Sequence, residues 1–254
     1  MSGFRLHRRL LLTAGSGAFG ITVLNTLTGC SETEKPGTGT PATGGGPSGG
    51  PSTAASAGPG VDWHRVDLDF VAVYLLVRNG EVAVVDTGTA GSAAAVEAGL
   101  KAAGLGWGSV RHVILTHQHE DHAGGLAEIV PQISATLYAG TDDVAAIDAA
   151  GKQIQGIKDG DDVFGLQMVG TPGHTLGHVS IFEPATGVLV AGDALRNQNV
   201  LEGSAPLYTA DATQAAASVK KLAGLDVRTI LPGHGRPITS GAKEALQKLA
   251  ATLP

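Results

Sequence analysis

Two apolar runs, FVAVYLLV at residues 70–77 and EVAVVD at 81–86, flank Arg78-Asn79-Gly80. Short runs rich in valine on either side of Asn-Gly predict two strands joined as a hairpin. The period then changes. SAAAVEAGLKAAG (92–104) repeats its apolar positions at helical spacing and ends on glycine, which predicts a helix. HVILTH (112–117) and ATLYAG (135–140) read as strands around a short helix at LAEIV (126–130). TDDVAAIDAA (141–150) opens on a capping residue and predicts another helix. FGLQMVG (164–170), HVSIFEP (178–184) and GVLVAGD (187–193) read as strands, the last two joined through Thr186-Gly187. A helix over DATQAAASVKKLAGL (211–225), a strand over VRTILPG (227–233) and a helix over SGAKEALQKLAATL (240–253) complete the chain. Hairpins in each half, with helices to cover them, predict one α/β domain over 61–254, two sheets packed face to face between outer helices.

Ahead of residue 61 this patterning stops. From Ser31 to Gly60, 27 of 30 residues are Gly, Pro, Ser, Thr or Ala. Such a segment buries too little apolar surface to offset its ordering entropy, so residues 30–60 are expected to form a disordered tether. Residues 1–29 run from a basic head (Arg5, Arg8, Arg9) through a moderately apolar stretch to small residues, the layout of an export signal. Arg8-Arg9 before three leucines resembles a twin-arginine signal, without the consensus flanking phenylalanine. Leu27-Thr28-Gly29-Cys30 resembles the lipobox of bacterial lipoproteins, in which cleavage precedes the cysteine that carries the lipid. That resemblance implies a chain anchored through Cys30 to the extracytoplasmic face of the cell membrane. An uncleaved membrane anchor, or a cysteine there by chance, are the plainer readings. Cys30 is the single cysteine, which excludes an intramolecular disulfide.

Composition narrows the partners. Of 254 residues, 43% are apolar, enough for a real core, while 38 glycines suit a chain rich in turns. From Val61 onward there are 13 basic and 21 acidic residues, so no basic groove is available and nucleic acid is excluded as a partner class. Bound divalent metal would offset part of that acidity.

The acidity has company. THQHEDHAGG (116–125) holds three of the chain's nine histidines and two acids within seven positions. Three later stretches share its layout, an apolar strand running into a turn of small residues with a metal-competent side chain: VGTPGHTLGH with His174, VLVAGDAL with Asp193 and TILPGHG with His234. VVDTG with Asp86 is similar. Ligands at the ends of core strands can converge on one edge of a sheet scaffold. Zinc favours imidazole nitrogen and carboxylate oxygen. His117, His119, Asp121 and His122, read as an irregular loop, could serve two neighbouring metals, with a histidine from each later turn completing a site and a carboxylate bridging. Singly, His174 or His234 reads better as a turn or core residue and Asp193 as a helix cap. Jointly they read as a site. His64 and His112 read as structural, and His178 as a residue that holds a ligand or packs the turn.

THQHEDH resembles the H-x-H-x-D-H motif of the metallo-β-lactamase superfamily, and TPGHTLGH, AGDAL and LPGHG resemble its later metal motifs in the same order. The resemblance covers nearly all of 61–254 and implies an αββα sandwich of two mixed sheets with a metal centre at its edge. It implies one zinc on His117, His119 and His174, a second on Asp121, His122 and His234, and Asp193 between them. Asp86 matches an acid that orients the metal loop without ligating. A carboxylate at Asp193 resembles the glyoxalase II and lactonase-like branches more than true β-lactamases. Only 20 residues follow His234, too few for a helical glutathione-binding domain, and the tyrosine that lactonases of this family carry close after the matching acid is missing, with Tyr208 one candidate for its place.

The function so implied is hydrolysis of a small ester, thioester, lactone or lactam by a dinuclear zinc centre, iron and manganese being alternatives, with Asp121 as a candidate proton shuttle. Two other classes stay open. A persulfide dioxygenase of the same superfamily would use a single iron. A surface protein would bind metal or a partner without turnover.

Overall fold

The computed structural model describes residues 61–254, so the export signal (1–29), Cys30 and the tether lie outside the described residues. An edge strand, β1 (Val61–Leu68), turns through Asp69-Phe70 into β2 (Val71–Arg78), and β2 turns through Asn79-Gly80 into β3 (Glu81–Val85). Helix α1 (Ala93–Ala102) leads to β4 (Val110–Leu115). Two one-turn helices follow, α2 (Glu120–Ala123) and α3 (Leu126–Ile129), then β5 (Thr136–Gly140) and β6 (Ile154–Ile157). These six strands form one sheet in sequence order, antiparallel from β1 to β3 and parallel from β3 to β6.

The second sheet contains β7 (Asp162–Val163), β8 (Leu166–Gly170), β9 (Val179–Glu183), β10 (Val188–Asn197) and β11 (Leu201–Gly203), neighbours in that order. Helix α4 (Ala212–Ala223) leads to β12 (Thr229–Gly235), which pairs parallel with β10, and α5 (Ala242–Thr252) closes the chain.

Strand β2 shows why its apolar run is unbroken. Tyr74 and Leu76, with Val85 and Ile114, face Met168, Ile181 and Val190 of the second sheet. Val73 and Leu75 point the other way, onto Val96 and Leu100 of α1 and Leu126 and Ile129 of α3. A strand covered on both faces has no solvent side to mark with polar residues. On the second sheet, Phe182 and Leu189 pack against Val219 and Leu222 of α4 and Leu246 of α5. The layers are therefore α, β, β, α, the predicted sandwich. Each fully buried large aliphatic contributes about 1.5–3 kcal/mol over its exposed state.

Polar groups also cross between the sheets. Tyr74 donates its hydroxyl hydrogen to Pro232 O at 2.8 Å, two residues before His234. Burial raises the Tyr74 pKa, so the phenol stays a neutral donor. Trp63 Nε1 donates to Glu183 Oε2 at 2.8 Å and Arg78 Nη2 to Glu183 Oε1 at 2.6 Å.

Three expectations need correction. TDDVAAIDAA is not an α-helix: a turn leads only into a single 3-10 turn at Val144–Ala146. Asp143 is buried there, its carboxylate committed to loops distant in sequence, and that commitment overrides local propensity. The stretch 117–122 is not wholly irregular, because α2 begins at Glu120 and carries Asp121 and His122 in its one turn. Strand β1 is absent from the predicted set, since VDWHRVDL shows no apolar run.

Candidate metal centre

The site forms where the strands of both sheets end. β4 hands over to Thr116 and His117, with His119 capping α2. The turn before β9 carries His174, and β12 carries His234. Asp193 lies within β10, where its register against β12 shifts after Gly192. Seven side chains meet there, and they fall into three overlapping groups of donors: His117, His119 and His174; His117, His122 and Asp193; Asp121, His122 and His234. Gly233 makes the approach feasible, since a Cβ there would stand 2.7 Å from both Asp193 Oδ1 and His122 Cε1.

Four of the five histidines are anchored through Nδ1. His117 Nδ1 is 3.0 Å from Thr116 Oγ1, whose own hydrogen goes to Asp86. His122 Nδ1 donates to Asp86 Oδ2 at 2.8 Å, His174 Nδ1 to Ser204 Oγ at 2.9 Å and His234 Nδ1 to Phe70 O at 2.8 Å. With a hydrogen fixed on the outer nitrogen, each ring turns its Nε2 inward, where it can hold a cation, or a proton in its place. His119 is the exception and presents Nδ1, 3.1 Å from His117 Nε2 and 2.9 Å from His174 Nε2. Inward lone pairs facing one another at such distances repel unless a cation lies among them. Ligands at about 2.0–2.1 Å around one tetrahedral ion stand about 3.3 Å apart, so the spacing fits. Asp193 Oδ1, buried with the His122 ring 3.2 Å away but not aligned for a hydrogen bond, fits the same requirement.

The electrostatics agree. Burial drives His117 well below the ordinary imidazole pKa, His174 to about 4 and His178 to about 3. Burial opposes charge on His122 as well, yet Asp86 and Asp193 outweigh it and hold that ring well above 6.5. His234 follows suit, its burial overcome by hydrogen bonds to Asp121 and Asp193, at about 10. Burial would raise Asp193, but His122 and His234 keep it well below the carboxylate range. In the metal-free chain, protons on His122 and His234 supply the positive charge that the carboxylates demand.

Asp86 and His178 stand behind the donors. Asp86 accepts from Thr116 N at 2.7 Å and from His122, with φ at 63°, a left-handed conformation that Asp tolerates better than most residues. His178 Nε2 accepts from Asp193 N at 3.0 Å while its Nδ1 meets Thr171 Oγ1 at 2.8 Å, fixing the Asp193 backbone. His64 lies beside Asp62, and His112 is wedged beside Phe164 and Tyr138, both apart from the site. The sequence reading missed Asp143, Ser204 and the Phe70 carbonyl. No motif marks a serine thirty residues from the ring it anchors, and a main-chain carbonyl leaves no trace in sequence.

A cavity of about 570 Å³ opens over the cluster, bordered by His119, Asp121, His174, Asp193 and His234, by Arg196, and by Phe70 and Tyr208. Phe70 (57% exposed) and Tyr208 (64% exposed) give it an apolar rim. The Phe70 ring lies parallel to His234, centroids 6.0 Å apart.

The family model described as metallo-beta-lactamase superfamily matches residues 66–234. The chain is 33% identical over 165 residues to a hydroxyacylglutathione hydrolase of Dechloromonas aromatica (strain RCB), covering 63% of this chain and 55% of that one. It is 35% identical over 166 residues to a protein of the same name from Acidiphilium cryptum (strain JF-5), covering 63% of each. The chain thus spans less than two thirds of the length of these curated relatives. Among solved structures, a metallo-beta-lactamase family protein from Thermus thermophilus superposes with a TM-score of 0.60 at 26% identity, over 76% of this chain and 79% of that one.

Proposed function

Because the chain belongs to the metallo-beta-lactamase superfamily, we propose that it is a hydrolase of a small ester, thioester, lactone or lactam, working through two zinc ions. The observation that carries this reading is the reach of Asp193. Its Oδ1 is 3.2 Å from His122 Nε2, and its Oδ2 is 3.4 Å from His174 Nε2 and 3.3 Å from His234 Nε2. One carboxylate therefore touches both donor sets. In this reading His117, His119 and His174 hold one ion, Asp121, His122 and His234 hold the other, and Asp193 lies between them. When bound, such ions supply Lewis acidity, lowering the pKa of water and neutralising charge on a carbonyl oxygen.

The chain's own residues set up the rest. The Nδ1 anchors hold the rings in one orientation, so no reorganisation accompanies reaction. Asp121 is the more open of the two site carboxylates, its side chain 29% exposed against 11% for Asp193, and it borders the cavity. In the metal-free chain burial works against its charge, but the hydrogen bond from His234 lowers its pKa; its place at the cavity makes Asp121 the candidate to relay a proton from water. Phe70 and Tyr208 offer apolar surface to an acyl group, and Arg196 is the cation on the cavity wall. Hydroxyacylglutathione, the substrate in the relatives' names, is a thioester, which puts thioesters first among the candidates.

Residues 1–29 as an export signal and Cys30 as a lipid anchor complete the proposal: a catalytic domain held outside the cell membrane on a tether. The test is metal analysis of protein from its native compartment together with turnover of a thioester, ester, lactone and lactam panel under zinc, manganese and iron. Two ions per chain with hydrolysis is the expected result. Saturation by one iron, with oxygen consumed on a persulfide, would replace the hydrolase by a dioxygenase. Two bound ions with no turnover would leave a metal-binding surface protein.

A further inference from the structure

Asp143 belongs to none of the donor groups, yet it is among the most thoroughly bonded carboxylates of the described residues. It is 1% exposed. Its Oδ1 accepts from Gly177 N at 2.8 Å, and its Oδ2 accepts from Gln118 N at 3.0 Å and Thr175 Oγ1 at 2.6 Å. Burying a carboxylate is costly unless its oxygens are satisfied, and the bonds to this one all come from neutral donors. What satisfies it is two loops and nothing else. Gln118 stands between His117 and His119, and Thr175 follows His174. The contact is tight enough to dictate sequence, since a Cβ on Gly177 would come 2.5 Å from Asp143 N and 2.7 Å from its Oδ1.

We propose that Asp143 is the positioning residue of the three-histidine pocket, one carboxylate that locks the Gln118 loop to the Thr175–Gly177 loop and so fixes His117 and His119 against His174. The proposal rests on the reading that this pocket holds an ion. The three ring nitrogens come from two loops far apart in sequence, yet they stand within 3.1 Å of their neighbours. Asp121, His122 and His234 are held by other groups, so the effect of Asp143 is confined to one pocket.

The test uses the full chain, stripped of metal and titrated with zinc against a chromogenic chelator. His119→Ala identifies which of the two affinities belongs to the three-histidine pocket. Asp143→Asn keeps the shape but turns an amide hydrogen toward donors, and it should weaken that pocket about 10–100-fold while the other keeps its affinity. The cobalt-loaded variant should show an altered visible absorption band for the same pocket. Thr175→Val removes one bond of the three and should give a smaller loss at the same pocket, readable even where Asp143→Asn does not fold. Equal weakening of both pockets, or wild-type affinity in folded variants, overturns the proposal. A wild type that binds one ion defeats the two-ion reading; the positioning role then stands if that ion is lost in His119→Ala and weakened in Asp143→Asn, and falls otherwise.

Discussion

Asp86→Asn separates the charge of this buried residue from its shape. Asp86 is 2% exposed and accepts from Thr116 N at 2.7 Å, from the Thr116 hydroxyl and from His122 Nδ1 at 2.8 Å. Its φ of 63° suits asparagine equally, so the substitution adds no backbone strain. The amide, however, must turn its NH₂ toward one set of donors. Facing Thr116, it meets an N–H and breaks the hydroxyl chain that anchors His117. Facing His122, it forces the ring to accept at Nδ1, which leaves the ring's one hydrogen on Nε2, pointing into the pocket shared with Asp121 and His234. A hydrogen bond to a charged group is worth about 1.5–3 kcal/mol. Loss of a ligand-orienting partner costs about 10–100-fold in metal affinity, or about 1.4–2.7 kcal/mol. Zinc competition titration should show that loss, and long-range nitrogen NMR should find the His122 Nδ1 hydrogen lost or the His117 anchor broken. A folded Asp86→Asn with wild-type zinc affinity and both rings still protonated at Nδ1 would refute the reasoning.

Asp193→Ala should lower metal content below the wild-type stoichiometry and nearly abolish hydrolysis with the circular dichroism retained, whereas His178→Ala, which loses the bonds to Asp193 N and Thr171 Oγ1 but no donor, should cost about 10–100-fold; two tightly held ions in Asp193→Ala would contradict this. In the metal-free chain the His122 and His234 pKa values are raised, His234 to about 10, so their contribution to stability is complete below about 6.5 and fades as pH climbs toward 10. Zinc must displace those protons, so calorimetry in buffers of different ionisation enthalpy should show proton release at neutral pH, and none would contradict the assignment. Cys30→Ala should abolish lipid attachment and leave the chain unprocessed or released, since two acyl chains give stable anchoring where one is marginal; mature wild-type protein recovered lipid-free in the soluble fraction would contradict it.

The long strands were legible because both faces are buried, and runs such as those of β2 and β10 say so in valine and leucine. The donor histidines were legible for a different reason: His174 and His234 follow such runs in turns of small residues, while His117, His119 and His122 crowd into six positions after one. β1 hid because an edge strand with Asp62, His64, Arg65 and Asp67 has no apolar signature, and its place is set by the ladder to β2. Residues 141–150 misled because their helical propensity is real, while the bonds of Asp143 to Gln118, Thr175 and Gly177 exist only once the loops have met. Partners 25 to 34 residues away leave no local pattern.

The anchors of the histidines differ in how they respond to mutation. His122 depends on the side chain of Asp86 and His174 on that of Ser204, so a single codon change at either partner disturbs a ring. His234 depends instead on the main-chain carbonyl of Phe70, whose aromatic ring projects separately to the cavity mouth. A carbonyl survives replacement of the residue that bears it. Position 70 can therefore exchange one side chain for another and present a different surface to the ligand, while the hydrogen bond to His234 persists through every exchange that preserves the turn. Here the lineage is free to explore new substrates one step at a time without passing through an intermediate that has lost its grip on the ring.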